Sequence, residues 1–99
     1  MSLFKNVPAR DPAYLAWVRT QPSVVSGVEG CVAHHCIADR FSSSKHSDYF
    51  TIPLTEDEHR ELHKSWRSWE MTHGSQWRFV ALTLERAVRD GFFSERRAA

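Results

Sequence analysis

No apolar run in the chain approaches the ~18 residues of a membrane-spanning helix, and no basic leader followed by an apolar stretch opens it. Neither a membrane span nor a secretory signal is expected, and the cytoplasm is the default setting. Cysteine is scarce. Cys31 and Cys36 lie in or beside one extended segment, where they are badly placed to bridge each other, so a disulfide framework is excluded. Charge of one sign is also lacking: 13 Lys and Arg against 12 Asp and Glu leave a net +1. Nucleic-acid binding, if it occurs, must come from a local cluster and not from bulk basicity. There is no internal repeat and no low-complexity tract; "FSSSKHSD" is a polar loop and "SERRAA" a frayed tail.

What the sequence does contain is globular. With 99 residues, 41% hydrophobic and 25% charged, the chain specifies a single small α+β domain whose four tryptophans must supply much of a modest core. Good packing, a metal or a partner is needed to make such a domain firmly stable. "RDPAYLAWVRTQP" reads as a short helix, with Asp11 as N-cap, Pro12 at the first helical position, Leu15 and Val18 on one face, and a stop before Pro22. "VVSGVEGCVAHH" reads as a turn feeding a strand, and "YFTIPLT" as a second strand with Pro53 marking an edge. "TEDEHRELHKSWRSWEM" opens a helix with Thr55 and Glu58 in the T-x-x-E arrangement of a capping box. A last helix over about 76–90 carries Trp77, Val80, Ala81, Leu84 and Val88 on one face and ends at Gly91. The expected order is helix, strand, loop, strand, helix, helix.

The histidines carry the chemistry. His34 and His35 are adjacent in "GCVAHHC", and neighbours on a strand point to opposite faces, so the two must have different jobs. His59 and His63 are four apart on the capped helix and share one of its faces, close enough to grip one ion. If the strands pair as a hairpin and the helix folds across it, His34 completes a three-histidine site. Three protein ligands with an open position is the arrangement of a catalytic metal, whereas structural zinc is usually closed by four. His35 then lies beside the site with its imidazole free. Each feature alone is common on ordinary surfaces; the combination is what points to a site.

"VAHHC", "SDYFTIPL" and "HRELH" together resemble the HNH, or His-Me finger, endonuclease motif, most closely small phage and prophage HNH proteins of the RecA-dependent nuclease type. The resemblance covers roughly residues 12–75. It implies a ββα-metal finger, about residues 28–70, flanked by helices within a single domain spanning 1–99. It also implies a divalent-metal-dependent DNA endonuclease, a phosphodiester hydrolase acting in recombination or DNA processing in a bacterial host cell. His34, His59 and His63 match the ligands of one divalent ion (Mg, Mn, Zn or Ni), and His35 matches the general base that activates water. DNA is the implied partner, with a recombination protein such as RecA as a second.

The chain departs from the family pattern in two places. Many relatives bind a separate structural zinc through two C-x-x-C pairs; Ser23, Ser26, Thr55 and Glu58 stand where those cysteines would be. Helix capping by Thr55 and Glu58 offers a partial substitute, at about 1 kcal/mol per cap. The middle asparagine of the motif is also missing from the second strand, which has Tyr49, Phe50 and Thr51, with Asp48 the nearest polar candidate to orient His35 or tie down the loop. Arg60 could reach the scissile phosphate, Arg40, Lys45 and His46 could meet phosphate from the loop, and Trp66 and Trp69 are expected to pack against the hairpin. Cys36 is read as a small buried apolar residue. Two other readings stay open: a non-catalytic zinc module closed by Cys31, His34, His59 and His63, and a decayed nuclease that retains the fold and binds a partner.

Overall fold

Pairing of two four-residue strands organises the molecule. The computed structural model describes residues 9–36 and 47–94. Strand β1 (Val32–His35) runs antiparallel to β2 (Thr51–Leu54), with Val32 opposite Leu54, Ala33 opposite Pro53, His34 opposite Ile52 and His35 opposite Thr51. Among the described residues the hairpin is surrounded by helices α1 (Pro12–Arg19), α2 (Glu56–Lys64), α3 (Trp66–His73) and α4 (Gln76–Arg89). The domain is therefore α+β, with a small antiparallel sheet covered by helices. Pro53 is tolerated because its carbonyl turns away from β1 and accepts from Val24 N at 3.1 Å, on the side where the missing N–H would have pointed. The loop residues Arg40, Lys45 and His46 lie outside the described residues, as does most of the C-terminal tail.

A two-stranded sheet is marginal unless both its faces are packed. On one face Cys36, Ile52 and Leu54 join Leu62 of α2, Trp69 of α3, and Phe79 and Val80 of α4, with Val24, Val25 and Trp66 packed at the margin. On the other face Ala33 and Tyr49 meet Tyr14 and Val18 of α1, Ala87 of α4, and Phe92 and Phe93 beyond its end. Leu84 touches both clusters, so α4 links the two halves of the core. Cys36 is a buried free thiol of the first cluster, as its sequence surroundings suggested, and Trp69 belongs to that cluster with Trp66 packed against it.

Two sequence expectations are corrected. The segment after Thr55 is two helices, not one: Ser65, extended at φ −163°, ends α2 and caps α3 by accepting from Ser68 N at 3.3 Å. A serine that can accept from the next turn offers the backbone an alternative to continuing the helix. The buried face of α4 is also rotated from the apolar set read off the sequence. Gln76, Phe79, Val80, Thr83 and Ala87 are buried, whereas Trp77, Ala81 and Val88 are exposed. Two polar residues hid the true face. Thr83 satisfies its hydroxyl on the Phe79 carbonyl at 2.8 Å, and Gln76 turns to the histidines.

The capping box is present and reaches further than the helix. Thr55 Oγ accepts from Glu58 N, and the Glu58 carboxylate accepts from Thr55 N at 2.8 Å and from Ser23 Oγ at 2.6 Å. Burial pushes the Glu58 carboxyl up, but donors from Ser23, Ser26 and Thr55 outweigh it and hold the group below its ordinary value. One ionised carboxylate thus joins the 23–28 turn to the exit of β2 and the start of α2. Glu58→Ala is expected to lower stability by ~2–3 kcal/mol, since it removes a cap and several charge-assisted bonds, against ~1 kcal/mol for Thr55→Ala. Urea unfolding of the two variants checks this; a Glu58→Ala protein as stable as the parent would refute the role.

Candidate metal centre

The cap fixes the phase of α2. Starting from Thr55, that phase buries Leu62 in the core and sets His59 and His63 one turn apart beside β1. The alternation of β1 brings His34 in beneath them, 2% exposed. The ligand-capable atoms of His34, His59 and His63 all lie within 4.8 Å of one another. Ring centroids are 5.0 Å apart for His34 and His59, 5.5 Å for His34 and His63, and 4.5 Å for His59 and His63. The Nε2 atoms of His59 and His63 are 3.0 Å apart, a spacing open to two nitrogens that each sit about 2.0–2.1 Å from one ion.

The electrostatics suit an ion as well. Burial drives the His34 pKa down to about 4; the Gln76 hydrogen bond opposes this, and the neighbouring histidines add to it. His59 is also lowered, first by burial and then by His63, with Glu56 opposing. An imidazole must be neutral to donate its lone pair to a metal, and two members of this cluster are biased that way before any ion arrives. The donor set therefore fits a divalent cation. Cys31 is not part of the cluster; its thiol donates to the Val28 carbonyl at 3.3 Å.

His35 faces the other way. Its Nε2 is 2.9 Å from Asp48 Oδ1 and its side chain is 40% exposed. Asp48 is buried and heavily engaged: Asp11 N donates to Oδ2 at 2.7 Å, Arg10 to Oδ1 at 3.2 Å, and its own N–H to the Ala9 carbonyl at 2.9 Å. Burial raises the Asp48 pKa, but the bonds from His35 and Asp11, with the charge of Arg10, leave it below the ordinary value. An ionised carboxylate only accepts, so Nε2 of His35 is the nitrogen that donates to it, and Nδ1 is the nitrogen Asp48 does not engage. Asp48 hydrogen-bonds His35 and also ties the 47–50 turn to the start of α1, while the loop it was expected to tie down lies outside the described residues.

Arg60 is not turned to this site; it pairs with Asp57 at 3.1 Å on the exposed side of α2. The sequence alone did not point to Arg10 and Asp11 as partners of Asp48, nor to Gln76, whose Oε1 lies 3.0 Å from His34 Nε2. A signal for Gln76 existed in its phase, since it falls on the stripe with Phe79, Val80, Thr83 and Ala87. Arg10 and Asp11 come to Asp48 across 38 and 37 residues and had none.

A family model described as "Protein of unknown function (DUF968)" matches residues 1–91. The chain belongs to the DUF968 family. It is similar to the "Uncharacterized protein YdfU" of Escherichia coli (strain K12), with 32% identity over 80 residues, covering 79% of this chain and 23% of that protein. The DUF968 chain thus spans less than a quarter of the length of this relative. No solved structure matches it. Among the described residues no helix is long and apolar enough to cross a membrane.

A buried neutral His34 has a consequence for stability. It titrates near about 4 in the folded protein and near its ordinary 6.5 in the unfolded chain, so between those values the unfolded chain binds more protons. Metal-free protein should be most stable above pH 6.5 and lose up to about 3 kcal/mol as the pH falls towards 4. Urea unfolding at a series of pH values measures this, and His34→Asn should flatten the profile. An equally steep profile in the variant would contradict the assignment.

Proposed function

We propose that this protein is a divalent-metal-dependent DNA endonuclease of the HNH type, hydrolysing phosphodiester bonds in the bacterial cytoplasm during phage or prophage DNA processing. The observation that supports it most is the division of labour between adjacent histidines. His34 joins His59 and His63 in a cluster fit for a cation, while His35 is held by a buried carboxylate with one ring nitrogen free. His34, His59 and His63 hold the ion, and three imidazoles favour zinc or nickel over magnesium, which prefers oxygen donors. When bound, the ion supplies stabilisation of the charge that develops on the phosphate and on the departing 3′ oxygen.

The chain's own residues do the rest. Nδ1 of His35 takes a proton from water as the water oxygen bonds to phosphorus; the bond from phosphorus to the 3′ oxygen breaks and that oxygen takes up a proton from solvent water, giving a 5′ phosphate and a 3′ hydroxyl. Asp48 holds the tautomer of His35 and stabilises the imidazolium that forms, the role an orienting carboxylate plays beside any histidine base. Arg60 can turn to a neighbouring phosphate at little cost, because an exposed ion pair such as Arg60–Asp57 is worth only about 0–1 kcal/mol.

Nicking of plasmid and single-stranded DNA, with and without added metal, tests the proposal. His35→Ala is expected to keep metal binding but cleave ~10²-fold more slowly or worse, with partial rescue at raised pH. His34→Ala is expected to fail through weakened metal affinity, with no such rescue. Equal cleavage by wild type and His35→Ala, with contaminating nuclease excluded by a His59→Ala/His63→Ala control, would sink the assignment.

A further inference from the structure

The imidazole of His34 has two nitrogens, and the bonds around it decide which one faces a ligand. Its Nε2 lies 3.0 Å from Gln76 Oε1, in a buried contact between β1 and the first turn of α4. A carboxamide has a donor end and an acceptor end, so its orientation sets the tautomer of whatever it touches. Glu70, in the last turns of α3, fixes that orientation. Its Oε2 accepts from Gln76 N at 2.8 Å and from Gln76 Nε2 at 3.4 Å, which points the amide nitrogen at Glu70 and the amide oxygen at His34. The short bond to the main chain anchors the carboxylate at the N-terminus of α4, where negative charge is favoured, and the longer one follows from that anchorage.

We infer that Gln76, held by Glu70, is a positioning residue that keeps His34 in the Nε2–H tautomer and makes Nδ1 its metal-donating nitrogen. The chain of donors runs from His34 Nε2–H to the Gln76 oxygen and from the Gln76 amide nitrogen to the Glu70 carboxylate. Such outer bonds fix ring orientation and raise the basicity of the ligand, and their loss typically weakens metal binding 10–100-fold. The inference rests on the reading of the three histidines as a metal site and adds to it the residues that tune it.

Ring-nitrogen NMR of uniformly 15N-labelled full-length protein, first without metal and then titrated with zinc, tests this. In metal-free wild type, His34 should show a protonated Nε2 and a bare Nδ1. In Gln76→Leu the two tautomers should mix and zinc affinity fall 10–100-fold, while Gln76→Glu, which keeps an acceptor at that place, should preserve the wild-type tautomer. Glu70→Ala offers a second route should Gln76→Leu not fold: freeing the carboxamide should also mix the tautomers. An Nδ1–H tautomer in the wild type, or an unchanged tautomer and zinc affinity in folded Gln76→Leu, would overturn the inference. Failure of wild type to bind zinc, nickel or manganese would overturn the metal reading itself, and the metal-free spectra distinguish that result from a wrong tautomer.

Discussion

Everything at the candidate site depends on the register of one four-residue strand pair. With His34 opposite Ile52 and His35 opposite Thr51, the period of two sends His34 towards α2 and α4 and His35 towards Asp48. A slip of one residue would exchange the two histidines, placing His35 in the cluster and His34 outside it. Hydrogen bonding between two short strands cannot enforce this alone. The apolar residues do: Cys36, Ile52 and Leu54 belong to one cluster and Ala33 to the other, so a slipped strand would expose part of each core.

The hairpin is in turn held by carboxylates placed at its two ends. Glu58 binds the 23–28 turn and the entry of α2 at one end, and Asp48 binds the start of α1 and His35 at the other. At the first of these, Ser23, Ser26, Thr55 and Glu58 converge, and these are the positions where the HNH resemblance puts the cysteines of a structural zinc. Hydrogen bonds to one half-buried carboxylate join these residues. They are weaker than metal–thiolate bonds and independent of redox state, and the two aromatic-rich clusters on either side of the sheet must supply the remaining stability.

The site itself works against stability. Three imidazoles lie within 4.8 Å of one another, and burial drives two of them, His34 and His59, towards the neutral form, which makes acid conditions costly. A cation that binds the folded chain and not the unfolded one would offset that cost by mass action. The arrangement that weakens the metal-free domain in acid is the same one that suits the proposed divalent ion.

The sequence by itself determined the local features, because these depend on residues a few positions apart. The capping box at Thr55 and Glu58, the start of α1 at Asp11 and Pro12, the shared face of His59 and His63 and the opposed faces of His34 and His35 all follow from helical and strand periodicity. What the periodicity missed lay where a polar residue took a buried position or a serine competed for the backbone. Ser65 divides α2 from α3, and Gln76 and Thr83 turn the buried face of α4 away from its most apolar stripe. Only the tertiary structure decided which residues complete the site: Arg10 and Asp11 reach Asp48 across 38 and 37 residues, and Gln76 reaches His34 across 42. Such pairings are set by how whole elements pack, and no spacing along the chain encodes them.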